Sequence, residues 1–119
     1  MNYQKYHAET VVINGIKFSS KLEGERYKQL LLLRQAGKIC DLCLQFEFQI
    51  FHGCINPDTG EKDKSSFYLA DFVYLDINKR QWIAEDTKGI ETPEFKLKWK
   101  LVKQQYPEYR FVKLTKADI

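Results

Sequence analysis

Residues 67–88, FYLADFVYLDINKRQWIAEDTK, constrain the fold more than any other stretch. Two runs rich in aromatic and β-branched residues flank a short polar break, which is the pattern of an antiparallel hairpin. With Asn78 and Lys79 as a two-residue turn, Ile77 faces Arg80, and the same register sets Asp71 opposite Asp86. Strand side chains alternate faces. Asp71 therefore shares a face with Leu69, Val73 and Leu75, and Asp86 with Trp82, Ala84 and Lys88, while Glu85 and Thr87 fall on the other.

Two like charges opposed on a largely apolar face cost a few tenths to about 1 kcal/mol. Lys88 offsets only one of them. A divalent cation offsets both, and Mg²⁺ typically binds through one or two carboxylates plus waters and phosphate oxygens. A lysine beside such a metal can orient or activate a water, or hold the phosphate. The competing view is that these are solvated charges near a strand end, which a one-residue slip in register would separate.

The rest of the chain frames the hairpin. SSKLEGERYKQLLLLRQAGK reads as a helix running from Ser20 to Ala36, with Gly37 as its stop. Glu23 stands three residues after Ser20, as in a capping box, yet it also lies on the apolar stripe of Tyr27, Leu30 and Leu31. LCLQFEFQIF, residues 42–51, alternates as a strand, and INPDTGEKDKSS reads as a loop. TPEFKLKWKLVKQQYP is a second helix, with Thr92 as its cap and Pro93 at its first position. YRFVKL closes the chain as a short strand. The expected order is α-β-β-β-α-β, an α/β fold in which helices flank a mixed sheet.

Along the second helix, Phe95, Trp99, Val102 and Tyr106 form a core stripe. Lys96, Lys100 and Lys103 form a separate one, either a solvated face or a surface that tracks phosphates. The segment from Lys88 to Lys103 holds five lysines against two glutamates, in a chain of net charge +3. That balance permits an anionic partner such as nucleic acid.

The 119 residues, 44% hydrophobic and 14% aromatic, are enough for one packed domain spanning 1–119 and exclude a disordered chain. No apolar run nears the roughly 20 residues of a membrane span, and the opening MNYQKYHAET is polar. A cytoplasmic protein is therefore expected. Three cysteines do not make a disulfide framework. Cys40, Cys43, His52 and Cys54 offer four zinc-type ligands, although the single residue between His52 and Cys54 suits a tetrahedral site poorly.

FSSKLEGERY, GKICDLCLQFEF, YLADF, AEDTKG and the basic helix together resemble the PD-(D/E)XK nuclease superfamily, with its restriction-endonuclease-like αβββαβ core. The likeness spans nearly the whole chain and is greatest to a small phage and prophage branch. It implies that Asp71 and Asp86 are the metal-binding acids, Glu23 the helix-borne acid, and Lys88 the motif lysine. Thr87 would add its backbone carbonyl to the metal, and Gln45 would take a supporting role. Ala70 stands where the motif has proline, at no cost in ligands. Glu85 competes for the second acid but lies on the face opposite Lys88.

The implied activity is that of an endonuclease hydrolysing DNA phosphodiesters with Mg²⁺, for which Mn²⁺ would substitute. Lys96, Lys100 and Lys103 would then contact nucleic acid. No appended specificity domain fits within 119 residues, so recognition through DNA shape, a homodimer or a phage or host partner protein is expected. Branched DNA in recombination or processing, as for a Holliday-junction resolvase, is the substrate that analogy favours. Two rival expectations are a non-catalytic DNA- or protein-binding module on the same fold, and a zinc-stabilised interaction protein.

Overall fold

The computed structural model describes residues 9–119, and the polar opening lies outside the described residues as far as position 8. The first element is a hairpin of β1 (Val11–Ile13) and β2 (Ile16–Phe18), which the expected order lacks. Asn14 and Gly15 turn it with φ of 52° and 79°, the pair of left-handed residues that a tight Asn-Gly hairpin turn requires. It packs on α1 (Lys21–Gln35) at Gly24, where an added Cβ would sit 2.6 Å from Val11 Cγ2.

Ser20 caps α1, its hydroxyl accepting from the Glu23 N–H at 3.0 Å. Glu23 does not complete a capping box, because Ser19 and Gln45 hold its carboxylate. The helix ends on Gly37 at φ 75°, with Lys38 N–H bonded to Leu33 C=O and Gly37 N–H to Arg34 C=O. This is a Schellman close.

β3 (Ile39–Phe51) begins three residues before the expected strand. The segment that follows, expected as a loop, contains a small hairpin of β4 (Cys54–Ile55) and β5 (Lys62–Asp63). Then come β6 (Ser66–Asp76), β7 (Gln81–Thr87), α2 (Pro93–Gln105) and β8 (Tyr109–Leu114), and a 3-10 turn at Lys116–Asp118. The four-stranded sheet has the order β3-β6-β7-β8, antiparallel except for the parallel β7–β8 pair. The protein is thus α/β, a mixed four-stranded sheet flanked by two helices.

The β6–β7 register is the expected one, from Asp76↔Gln81 to Phe72↔Glu85. The turn differs, since four residues, 77–80, connect the strands. A two-residue turn of the favoured kind needs positive φ at both Asn78 and Lys79. Here only Arg80 adopts it, at 53°, and Asp76 Oδ1 accepts the Lys79 N–H.

Two apolar clusters fill opposite sides of the sheet. Phe18, Tyr27, Leu30, Phe72, Tyr74 and Ile83 pack beneath α1. Phe48, Tyr68, Ala70, Val73, Ala84, Trp99 and Val102 pack beneath α2. On β6, Ala70 and Phe72 should share a face by simple alternation, yet they lie in different clusters. On β3, Leu42 and Leu44 belong to the α1 side, whereas Phe46, Phe48 and Ile50 belong to the α2 side.

Both strands reverse their facing at one level, Gln45 and Asp71. That rung is missing from a ladder otherwise continuous between Cys43↔Val73 and Gln49↔Phe67, and Gln45 has φ 53°. The expected company of Asp71 changes accordingly. Leu69 is 46% exposed, and Tyr68 and Ala70 are buried in its place.

Candidate metal centre

Each acid of the hairpin end is held by one oxygen. Asp71 Oδ2 accepts both the N–H and the hydroxyl of Thr87, each at 2.9 Å. Asp86 Oδ2 accepts the Tyr68 hydroxyl at 2.6 Å, and its Oδ1 lies 3.7 Å from Lys88 Nζ. The ladder stops at Phe72↔Glu85, so Asp71 and Asp86 meet just past the last rung, where the strands part. Thr87, expected at the metal through its carbonyl, is seen fixing Asp71 with its two donors.

The electrostatics are unfavourable for ionised acids. Asp86 is 2% exposed, and burial first, then the Asp71 charge, pushes its carboxyl up to about 8. The Tyr68 hydrogen bond and Lys88 pull the other way. Burial prevails because 3.7 Å is too long for a strong charge-assisted bond, and desolvation of a carboxylate costs several kcal/mol. Glu23, 3% exposed, is also raised, by burial and then by Asp71.

Glu23 reaches this group through Gln45. The Gln45 amide donates to Glu23 Oε2 at 2.8 Å and lies 3.5 Å from Asp71 Oδ1. The reversal of facing at Gln45 places that amide between the two acids. Lys88 sits with Nζ 4.3 Å above the Phe95 ring, at the start of α2, and so joins the site to the basic helix.

Asp71 Oδ1 and Asp86 Oδ1 accept no short hydrogen bond from another side chain, having only the long contacts to Gln45 and Lys88 and the neighbouring carboxyl itself. Two hard carboxyl oxygens fit Mg²⁺, which takes one or two protein carboxylates, keeps several waters, and would favour the ionised form of Asp86 that burial opposes. Among the described residues no three His, Cys, Asp or Glu side chains converge as a ready-made cage. A metal here would thus rest on the two aspartates, with Glu23 joined to Asp71 through the Gln45 amide.

Glu85 has a different role. It is 2% exposed and held by Arg26, Nε to Oε1 at 2.8 Å and Nη2 to Oε2 at 2.6 Å, with the Tyr74 hydroxyl donating to Oε2. Neither Arg26, Tyr74 nor Tyr68 was singled out by the sequence pattern. Strict alternation would have sent Tyr68 to the α1 side, away from Asp86, so no local signal marks it.

The four zinc-type residues are not assembled. Cys40 lies near the start of β3, while His52 and Cys54 lie beyond its end, about 36 Å of extended strand away. Cys40 Sγ contacts Asp41, Cys54 Sγ contacts Asp63, and His52 Nδ1 bonds Gln49. Lys96, Lys100 and Lys103 are all exposed on the outer side of α2, whose inner stripe of Phe95, Trp99 and Val102 is buried. No helix among the described residues is long and apolar enough to cross a membrane.

Fold and site together describe an α/β protein with two neighbouring carboxyls at a hairpin end, Asp86 buried and Asp71 half-buried. Residues 3–118 match the family described as "Protein of unknown function (DUF1064)", and the chain belongs to that family. No curated protein and no solved structure matches it.

Proposed function

We propose that this protein is a Mg²⁺-dependent endodeoxyribonuclease of the PD-(D/E)XK type, built on a restriction-endonuclease-like core. The order α1-β3-β6-β7-α2-β8 supports that core, with the two small hairpins as additions. The observation that carries the proposal is the pair Asp71 and Asp86, each with one oxygen tied down and one with only long side-chain contacts, beside Lys88. Burying Asp86 against the half-buried Asp71 weakens a fold unless a cation is bound there for part of its working life.

Asp71 and Asp86 would hold the metal, and Glu23 would approach it through Gln45. A divalent metal at that point supplies an activated water and neutralises charge on the phosphate. Thr87 and Tyr68 fix the direction of the two carboxylates. The Lys88 ammonium, carried over the Phe95 ring, is placed to orient the attacking water or a phosphate oxygen. Hydrolysis adds the water oxygen to phosphorus and breaks one phosphorus–oxygen ester bond, leaving a phosphate monoester and a free sugar hydroxyl. Lys96, Lys100 and Lys103 would follow the DNA backbone along α2. Branched DNA of recombination or processing is the preferred substrate class, by analogy of fold.

The test is cleavage of linear, nicked and four-way-junction DNA with Mg²⁺ or Mn²⁺, beside folded Asp86→Ala and Lys88→Ala variants. Metal-dependent products lost in both variants support the enzyme, and the favoured substrate chooses between a resolvase and a general nuclease. DNA binding without cleavage of any substrate would replace it with the non-catalytic module.

A further inference from the structure

Arg26 and Glu85 form the most heavily bonded ion pair of the described residues, on the side of the sheet away from Asp86. The guanidinium grips both carboxylate oxygens, its Nη1 also donates to Gln29 Oε1 at 2.8 Å, and the Tyr74 hydroxyl completes the group. Glu85 is 2% and Arg26 16% exposed at the side chain. Such a pair contributes little net stability, because desolvation of both charges offsets most of their attraction. Its geometry is specific nonetheless, since a planar bidentate fork sets distance and angle together.

The two residues sit at informative places in the chain. Arg26 lies three positions after Glu23 on the same helix, so the two neighbour each other across one turn. Glu85 is the residue immediately before Asp86 on β7. The pair therefore ties the turn of α1 that bears Glu23 to the peptide that bears Asp86. A small slide or rotation of α1 would carry Glu23 away from Gln45 and Asp71, and an apolar contact between helix and sheet resists such a slide far less sharply than a fork of two hydrogen bonds.

We propose that Arg26, Glu85 and Tyr74 are positioning residues, a clamp that sets the helix-borne Glu23 at the height of the Asp71–Asp86 pair. The clamp touches neither metal nor substrate. It rests on the metal-site reading in one respect, that the position it fixes matters for metal binding. The fixed position itself can be measured without metal.

The decisive comparison is between wild type and an Arg26→Met/Glu85→Leu double variant, full-length and purified. Apolar replacement of both partners of such a pair is often close to neutral for stability, and what the Tyr74 hydroxyl loses with its acceptor is read in the melting temperature. Two readouts are taken beside the melting temperature: the NMR resonances of the Gln45 side-chain amide, and Mn²⁺ affinity by calorimetry. With the melting temperature retained, the clamp predicts displaced Gln45 amide resonances and Mn²⁺ binding weakened about 10- to 100-fold, as for other outer supports of metal sites. Unmoved Gln45 resonances and Mn²⁺ affinity within twofold of wild type would mean a purely structural pair and overturn the proposal.

Should the double variant not fold, Arg26→Lys keeps the charge but loses the fork. It is expected to move the same resonances, and unchanged spectra and affinity would again overturn the clamp. Wild type that takes no Mn²⁺ defeats the metal-site reading, while the Gln45 resonances alone still decide whether Arg26 and Glu85 set Glu23.

Discussion

Replacing Asp86 by Asn should make the metal-free protein more stable at alkaline pH. In the folded chain the Asp86 carboxyl is raised from 3.8 to about 8, by burial and by Asp71. Unfolded, it ionises near its ordinary value. Below pH 4 both states are protonated and folding carries no penalty from this group. As pH rises towards 8 the unfolded chain releases the proton and the folded one keeps it, so stability falls across that window and levels off above it. Between pH 5 and 8 the interval is about three pH units at ~1.4 kcal/mol each, or about 4 kcal/mol.

Water reaching the ionised pair reduces the realised loss to about 2–4 kcal/mol. Asparagine keeps an oxygen for the Tyr68 hydroxyl and carries no proton to lose. Urea unfolding of wild type and Asp86→Asn at pH 5 and pH 9, in chelator, should therefore give curves that diverge by that amount, the variant gaining. Mg²⁺ at about a hundred times its Kd should restore about 2.7 kcal/mol to wild type and nothing comparable to the variant. Identical pH dependence in the two proteins would refute the assignment of Asp86 as a buried acid held protonated by its neighbours.

Other outcomes follow from the same geometry. Arg26→Ala leaves Glu85 buried and without its cation, and should cost about 3–5 kcal/mol in urea unfolding, far more than the paired apolar replacement. Changing Lys96, Lys100 and Lys103 together to Ala should leave the melting temperature within a few degrees. If all three contact phosphates, the slope of log binding constant against log salt for duplex DNA should shallow by about 3, measured by fluorescence anisotropy. Gly24→Ala adds a Cβ 2.6 Å from Val11 Cγ2 and 3.0 Å from Ile13 Cδ1. Overpacking of about 1–3 kcal/mol should exceed the gain of about 1 kcal/mol in helix propensity, giving a lower melting temperature.

Much of the fold was legible because local chemistry specified it. Ser20 and Thr92 mark the starts of α1 and α2, and each accepts the N–H three residues on. The β6–β7 register was legible from the polar break centred on Asn78-Lys79 even though four residues form the turn, because widening a turn symmetrically leaves the pairing unchanged. Asn14-Gly15 carried a strong hairpin signal that the expected order left unread, and the structure uses it. The short β4–β5 hairpin had only turn residues to announce it.

What the sequence by itself determined was the inventory and its spacing: two acids across a hairpin, a lysine two residues on, a glutamate on an apolar helix stripe. Only the tertiary structure decided how these meet. The strands reverse their facing at Gln45 and Asp71, and strict alternation cannot foresee this, because one left-handed residue, Gln45, at one missing rung is enough to break the alternation there. That reversal brings Tyr68 onto Asp86, puts the Gln45 amide between Glu23 and Asp71, and exposes Leu69. The separation of Glu85 from Asp86 by strand parity was legible in advance. Its capture by Arg26, 59 residues away in the chain, was not, since a contact at that range is set by packing rather than by any local preference.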